Sequence, residues 1–426
     1  MAEEGTELEP APARRGRLLL DLRPLRESAA FRRLWIGGAL SAIGSQMARF
    51  AVMLQVYRIT HSSAAVGGLG LALFVPLLAV GLFGGSFADA VDRRRLALAT
   101  SACQVVLAAV LAAQAFAGLS LLWLLYGLVA LQSLVGAVGG PVRRTFVPRL
   151  LPAALVPGGV ALNQLSFQAS ITAGPLLAGV AVAAGGLRAC YLVDVLSFGA
   201  SFYGLVRLPA MRPRDGGGTR PGVRAVLDGL RFLRHQPVLA GAFLADLNAT
   251  VLGMPWALFP ALNAARFGGG ARTLGLITAA PAVGGLVGTA LSGPVGRVTR
   301  PGRAMLVTVA FWGGCIAVFG LSRTLWLALL TLALSGAADT ISVVFRATLV
   351  QTVTPDHLRG RISGVDFVVG AGGPQLGNFE AGMVAAATTP TVSAVGGGLA
   401  TILSMGVLRL ALPAFARYDS RTAADA

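Results

Sequence analysis

The sequence predicts an all-α membrane protein of twelve transmembrane helices in two six-helix pseudo-repeat halves, and three observations predict it. Of the 426 residues, 55% are apolar and only 12% charged, against about a quarter charged in a soluble domain. The apolar residues gather in twelve long runs, each near the ~20 residues that cross a bilayer as a helix. Short patterns of the first half also recur in the second at offsets of about 200 positions.

The elements follow in chain order. Residues 1–33 carry Glu3, Glu4, Glu7 and Glu9 ahead of several Arg, with no apolar core leading to a small-residue cleavage site. That makes them a cytoplasmic tail and not a cleaved signal peptide. Segments 1 to 6, at 34–57, 65–88, 96–118, 121–140, 158–184 and 189–206, form an N-terminal half over 34–206. A polar stretch, 207–237, with MRPRDGGGTRPG at its centre, then divides the chain. Within it Val223, Val226, Leu227, Leu230 and Leu233 recur at helical spacing, with Arg224, Arg231 and Arg234 elsewhere around the helix. That pattern is an amphipathic helix at the inner membrane face, a strap between the halves. Segments 7 to 12, at 238–262, 273–293, 304–321, 325–345, 362–387 and 392–412, form a C-terminal half over 238–412, and 413–426 is a cytoplasmic tail.

All 35 basic residues are Arg and none is Lys. Phosphate-loop ATPases, Schiff-base enzymes and kinase-type catalysis all need a Lys and are excluded. Cys103, Cys190 and Cys315 are far apart and His61, His235 and His357 are isolated, so the sequence has neither a metal-ligand spacing nor a disulfide framework. The chain reads as no enzyme, with no metal and no cofactor. A net charge of +17 could mark a nucleic-acid binder, so its distribution decides. With the N-terminus inside, 27 Arg fall in the tails and in the loops after even-numbered segments. Five (Arg58, Arg188, Arg266, Arg272, Arg323) fall outside, and three (Arg49, Arg346, Arg409) lie in or at the end of spans. This is the positive-inside asymmetry that orients a bundle, here with both termini cytoplasmic. The lipid bilayer is the partner it implies, not nucleic acid.

The halves repeat in three places. GSFADAVDRRR, after segment 2, is matched 208 positions later by GPVGRVTRPGR after segment 8. RRTFVPRLLP, past segment 4, is matched 203 later by RATLVQTVTP, and SITAGPLLAG of segment 5 is matched 199 later by VGAGGPQLGN of segment 11. Tandem halves of this kind are a transporter architecture, with the substrate site between them near the midplane.

Gly85-x-x-x-Asp89-x-x-Asp92-Arg93-Arg94 resembles the loop 2–3 signature of the major facilitator superfamily, GxxxDxxGRR, with Asp92 in place of the second Gly. Residues 170–179 resemble its exporter signature on helix 5, GxxxGPxxGG, with Ser170 and Ala178 in place of Gly. LRESAAFRRLWIG, ADAVDRRR, GLRFLRHQPVL and QTVTPDHLRGRISG are similar to the enterobactin-exporter branch, which exports siderophores, and macrolide and multidrug exporters share much of this pattern. The resemblance covers nearly the whole chain and implies the major facilitator fold in a bacterial inner (plasma) membrane. It further implies that Asp89 sits against the N-terminus of segment 11 when the bundle is open outward. A carboxylate there satisfies orphan N–H groups and the positive end of the helix dipole. In that gate Gly85 lets the helices approach, and Arg93 and Arg94 stay in the headgroup layer.

Gly174–Pro175 and its repeat Gly373–Pro374 each remove one backbone hydrogen bond and permit a kink, a hinge in each half. An ionisable group inside a span is costly and usually faces a cavity. Arg49, Asp246, Asp339 and Glu380 lie well within segments 1, 7, 10 and 11. Asp194 and Asp366 lie nearer span ends and read as interfacial or packing residues. Gln46, Gln132, Gln164, Asn248 and Asn378 offer hydrogen bonds to a polar ligand. Phe259, Trp256 and Trp312 offer stacking surfaces. At about 1.5 Å rise per residue, Arg49 and Asp246 differ in depth by roughly 10 Å, so the depths suggest two tiers. Arg49 with Glu380 would contact an anionic substrate, and Asp246 with Asp339 would hold the proton. Segment 4 lacks the Arg that proton-coupled exporters of the superfamily often carry, its polar side chains being Tyr126, Gln132 and Ser133. The expected function is secondary export of a siderophore-like polar small molecule by alternating access, driven by the proton gradient, in a monomer. Multidrug or macrolide-type antibiotic efflux is the alternative, and an importer or receptor a third class.

Overall fold

The computed structural model describes residues 21–83, 92–208, 223–293, 298–419 and 421. The longer helices are α1 (Ala29–Thr60), α2 (Ser63–Phe83), α3 (Arg93–Phe116), α4 (Leu122–Arg144), α5 (Val156–Val206), α6 (Val223–Arg234) and α7 (Pro237–Leu252). They continue with α8 (Phe259–Arg266), α9 (Ala271–Ala290), α10 (Pro301–Leu321), α11 (Leu325–Val353), α12 (Arg359–Ala387) and α13 (Pro390–Ala411). A hydrocarbon layer holds no water to bond the backbone, so apolar runs of this length satisfy themselves as helices. Polar residues set their ends. Ser28 accepts a hydrogen bond from the Phe31 N–H (3.2 Å) at the start of α1, and Asp92 accepts from the Arg95 N–H (3.0 Å) at the start of α3.

Helix α5 is two arms. Gly186, at φ 70° and ψ −171°, takes a conformation open mainly to glycine and folds segment 6 back along segment 5. By length and apolarity, nine candidate spans lie among the described residues. One of them, Ala153–Val206, contains both arms of α5. Helices α1 and α12, of 32 and 29 residues, have the length but fall outside that set. The shortfall from twelve has a chemical cause, since α1 carries Gln46 and Arg49 in its interior and α12 carries Asp366, Asn378 and Glu380.

Within the first half α1 packs along α5, α3 against α4 and α5, and α2 against α4. The second half repeats the scheme, with α9 against α11, α10 against α11 and α13, and α7 against α12. The halves meet along α2–α12 and α5–α9, which exchange places when one half is substituted for the other. The closest approaches lie toward the end of the bundle remote from the start of α1. A Cβ at Gly67 would stand 2.6 Å from the Asn378 carbonyl oxygen, and one at Gly275 would stand 2.7 Å from that of Pro175. No side chain fits either place. The same end carries Trp123 and Trp326, which are 203 positions apart and 69% and 66% exposed, as in an interfacial aromatic belt.

The strap helix α6 docks on the second half. Phe232 and Leu233 pack with Leu239, Phe243, Ile362 and Val365, and Asp228 pairs with Arg361 at the start of α12 (3.5 Å). Leu227 and Leu230 are left exposed, an apolar face of the kind an amphipathic helix presents to a membrane surface.

Candidate substrate and coupling site

The densest charge cluster lies in the second half. Asp246 on α7 and Arg346 on α11 form a buried ion pair, their side chains 5% and 7% exposed. Asp366, on α12, approaches the Arg346 Nε at 3.5 Å. The terminal nitrogens of Arg346 lie against Gly370, where a Cβ would come 3.4 Å from Nη2. Asp339 stands on α11 seven residues before Arg346, two turns along the same face, within electrostatic reach of both Asp246 and Arg346. It is accessible to solvent and has no ion-pair partner among the described residues. Two carboxylates thus share one guanidinium, and a third stands within its electrostatic reach.

The first half holds a smaller cluster. Arg49 on α1 is exposed in mid-helix, within electrostatic reach of Asp194 on the second arm of α5. Asp194 is 1% exposed and accepts a hydrogen bond from Ser45 (3.4 Å). At the end of α4, Arg143 donates to the hydroxyls of Ser201 (3.2 Å) and Ser101 (2.8 Å). It is the repeat partner of Arg346, 203 positions apart, and both arginines turn into their own half.

Asp246 and Asp339, expected together, lie within electrostatic reach of each other. Arg346 stands with them although span limits placed it at a boundary, and the repeated Arg of the two loop motifs was the signal for it. Among the described residues no ion pair joins Arg49 to Glu380 or to Asp246. Glu380 and Asn248 are half-buried and Gln164 is exposed. The Asn378 side-chain oxygen is buried with no hydrogen-bond donor among the described residues. No group of His, Cys, Asp and Glu able to hold a metal occurs among the described residues.

Of the gate motif, Gly85 and Asp89 lie outside the described residues. Arg93 opens α3, and Arg94 donates to the Val206 carbonyl oxygen (2.7 Å), tying the start of α3 to the end of α5. Asp92, the departure from the superfamily pattern, is the N-cap of α3. The two hinge motifs sit inside α5 and α12. A Cβ at Gly174 would collide with Gln46 of α1, and one at Gly373 with Thr250 of α7. In each half the motif glycine lets the Pro-containing helix lie directly on the first helix of that half.

Two repeated helical halves, with accessible ionisable groups in mid-helix and spans long enough to cross a bilayer, define a polytopic membrane transporter and no enzyme. The chain belongs to the transmembrane secretion effector family of the major facilitator superfamily, whose sequence profile matches residues 21–425. An enterobactin exporter from Citrobacter koseri is 30% identical over 407 residues, 94% of this chain and 96% of the relative. Among solved structures, nucleoside transporter NupG superposes with a TM-score of 0.71 at 12% identity, covering 92% of this chain and 100% of that one. A bacterial homologue of the iron transporter ferroportin in its inward-facing state reaches 0.68 at 18% identity, covering 90% and 98%. At those identities the structures establish a shared fold alone.

Proposed function

We propose that the chain exports a siderophore-like polar small molecule across a bacterial inner membrane by alternating access, exchanging it for protons. Both termini lie in the cytoplasm. The observation that carries the coupling is Asp339, an accessible carboxylate without an ionic partner beside the Asp246–Arg346 pair. A proton on Asp339 changes the net charge of the cluster by one and alters what Arg346 is shared among. Arg49, exposed in the other half, offers a bidentate guanidinium to an anionic substrate. The whole-length relationship to enterobactin exporters supports the substrate class. With the termini inside, the close approaches at Gly67 and Gly275 lie on the outer side, and this conformation opens inward.

Inside-out vesicles with an acidic lumen should accumulate a catecholate siderophore, and an uncoupler should abolish the uptake. Asp339→Asn is expected to abolish gradient-driven uptake while retaining binding, and Arg49→Ala to weaken binding. Uptake that survives collapse of the gradient sinks the coupling. A chain that moves macrolides or ethidium and no catecholate sinks the substrate class.

A further inference from the structure

On the face remote from the start of α1, the first half carries a cavity of about 740 Å³. Gln55 and Arg58 of α1, Ser120 after α3, and Arg188 at the bend of α5 supply its polar side chains, and among the described residues no acid lines it. Gln55 accepts from the Tyr191 hydroxyl (2.6 Å) and exchanges amide bonds with Gln114 (3.0 and 3.2 Å). Arg188 is braced from behind. Its Nε donates to the Ala115 carbonyl oxygen (3.1 Å), and its guanidinium lies over the Phe116 ring, 5.4 Å from the centroid. Among the described residues Arg58 is exposed and without a partner, and the terminal nitrogens of Arg188 have no acceptor.

The repeat supplies an internal control. Arg58 near the end of α1 corresponds to Arg266 at the end of α8, 208 positions later. Arg266 is a structural clamp, donating to the carbonyl oxygens of Gly320 (2.6 Å) and Ser322 (3.1 Å) and to the Thr391 hydroxyl. It closes the C-terminal end of α10. The counterpart of Gly320 is Ala115, each one residue short of its helix end. That carbonyl is taken by Arg188. The clamp has passed to another arginine, and Arg58 is left facing a cavity with two cations and, among the described residues, no acid.

We propose that this cavity binds a phosphate- or carboxylate-bearing anion between Arg58 and Arg188. Two guanidiniums in one concave site repel each other until an oxyanion bridges them, and paired N–H groups match the oxygens of phosphate or carboxylate bidentately. A dissolved anion and a phospholipid headgroup present the same chemistry. The site lies within one half, apart from the Asp339 cluster, and stands whether or not the export reading does.

The test is thermal melting of the full-length protein. In detergent, inorganic phosphate is titrated at constant ionic strength. In nanodiscs, phosphatidylcholine alone is compared with phosphatidylcholine plus phosphatidylglycerol. Saturable stabilisation by phosphate identifies a dissolved anion, and stabilisation by phosphatidylglycerol alone identifies a headgroup. Either is expected to be retained in Arg272→Gln and lost in Arg58→Gln. Without anion, Arg58→Gln should melt at or above the parent, whereas Arg266→Gln, which breaks the clamp, should melt below it. The proposal is overturned if neither addition stabilises the parent, if Arg58→Gln responds as the parent does, or if Arg58→Gln melts below the parent without anion.

Discussion

Removing Arg346 is predicted to damage the protein far more than removing either of its acidic partners. Asp246 is 5% exposed at its side chain and Asp366 is 43% exposed. Arg346→Leu therefore strands one carboxylate where water cannot reach it, while the other hydrates. Breaking a buried pair from one side costs about 3–5 kcal/mol. Asp246→Asn keeps an acceptor in place and leaves Arg346 beside Asp366 at 3.5 Å. The expected cost is about 1–3 kcal/mol, that of an imperfectly met buried donor. Asp366→Asn removes a half-exposed partner, worth about 0–1 kcal/mol. The double variant Arg346→Leu with Asp246→Leu should recover most of the loss, because an apolar replacement of a buried pair is often neutral. Melting followed by fluorescence-detected size exclusion ranks the four proteins. Equal melting of Arg346→Leu and Asp366→Asn, or a double variant as poor as Arg346→Leu, would refute the reasoning.

Gly275→Leu places a side chain where even a Cβ would stand 2.7 Å from the Pro175 oxygen. Spin-label distances between the halves at that end should lengthen, and an unchanged distribution would show that the approach is not needed for closure. Asp92→Ala should cost about 1 kcal/mol by uncapping α3, and Asp92→Gly, the residue of the superfamily pattern, only a few tenths; equal melting of the two sinks the capping role. Single cysteines at residues 212–220 and in the C-terminal tail should react with an impermeant reagent from the cytoplasmic side alone. Labelling from outside at either place overturns the orientation.

The bundle is legible in the sequence because span length and repeat are properties of order along the chain. Even the bend of α5 shows, as a four-residue break between the runs 158–184 and 189–206. Pairing within the site is legible only in part. Counting residues from a span end gives depth along the membrane normal and nothing about direction around the helix. Arg346 falls one residue past an apolar run that ends at 345, yet α11 continues to Val353, so the side chain is interior to its helix. Asp194 reads as a residue near a lipid boundary, yet the packing of α1 along α5 buries it to 1% exposure. Depth is a statement about the bilayer, and burial here is decided by a neighbouring helix.

The repeat also separates what holds the fold from what distinguishes the halves. Features present in both, the Gly–Pro helices, the inward arginines Arg143 and Arg346 and the paired interfaces α2–α12 and α5–α9, are those that a duplicated backbone needs to pack. The acids are not duplicated. At the established offsets Asp339 corresponds to Gly136, Asp366 to Phe167 and Glu380 to Ala181. By the packing of Gln46 and Thr250 on their glycines, Arg49 corresponds to Gly253. In the proposed exchange the proton is held by the acids of the second half, and the anionic substrate is met by Arg49 of the first. Placing them in different halves lets the rocking of one half against the other change the relation between them. That division is what the proposed exchange requires, and it accounts for Arg143 resting on two serines where Arg346 is shared by two aspartates.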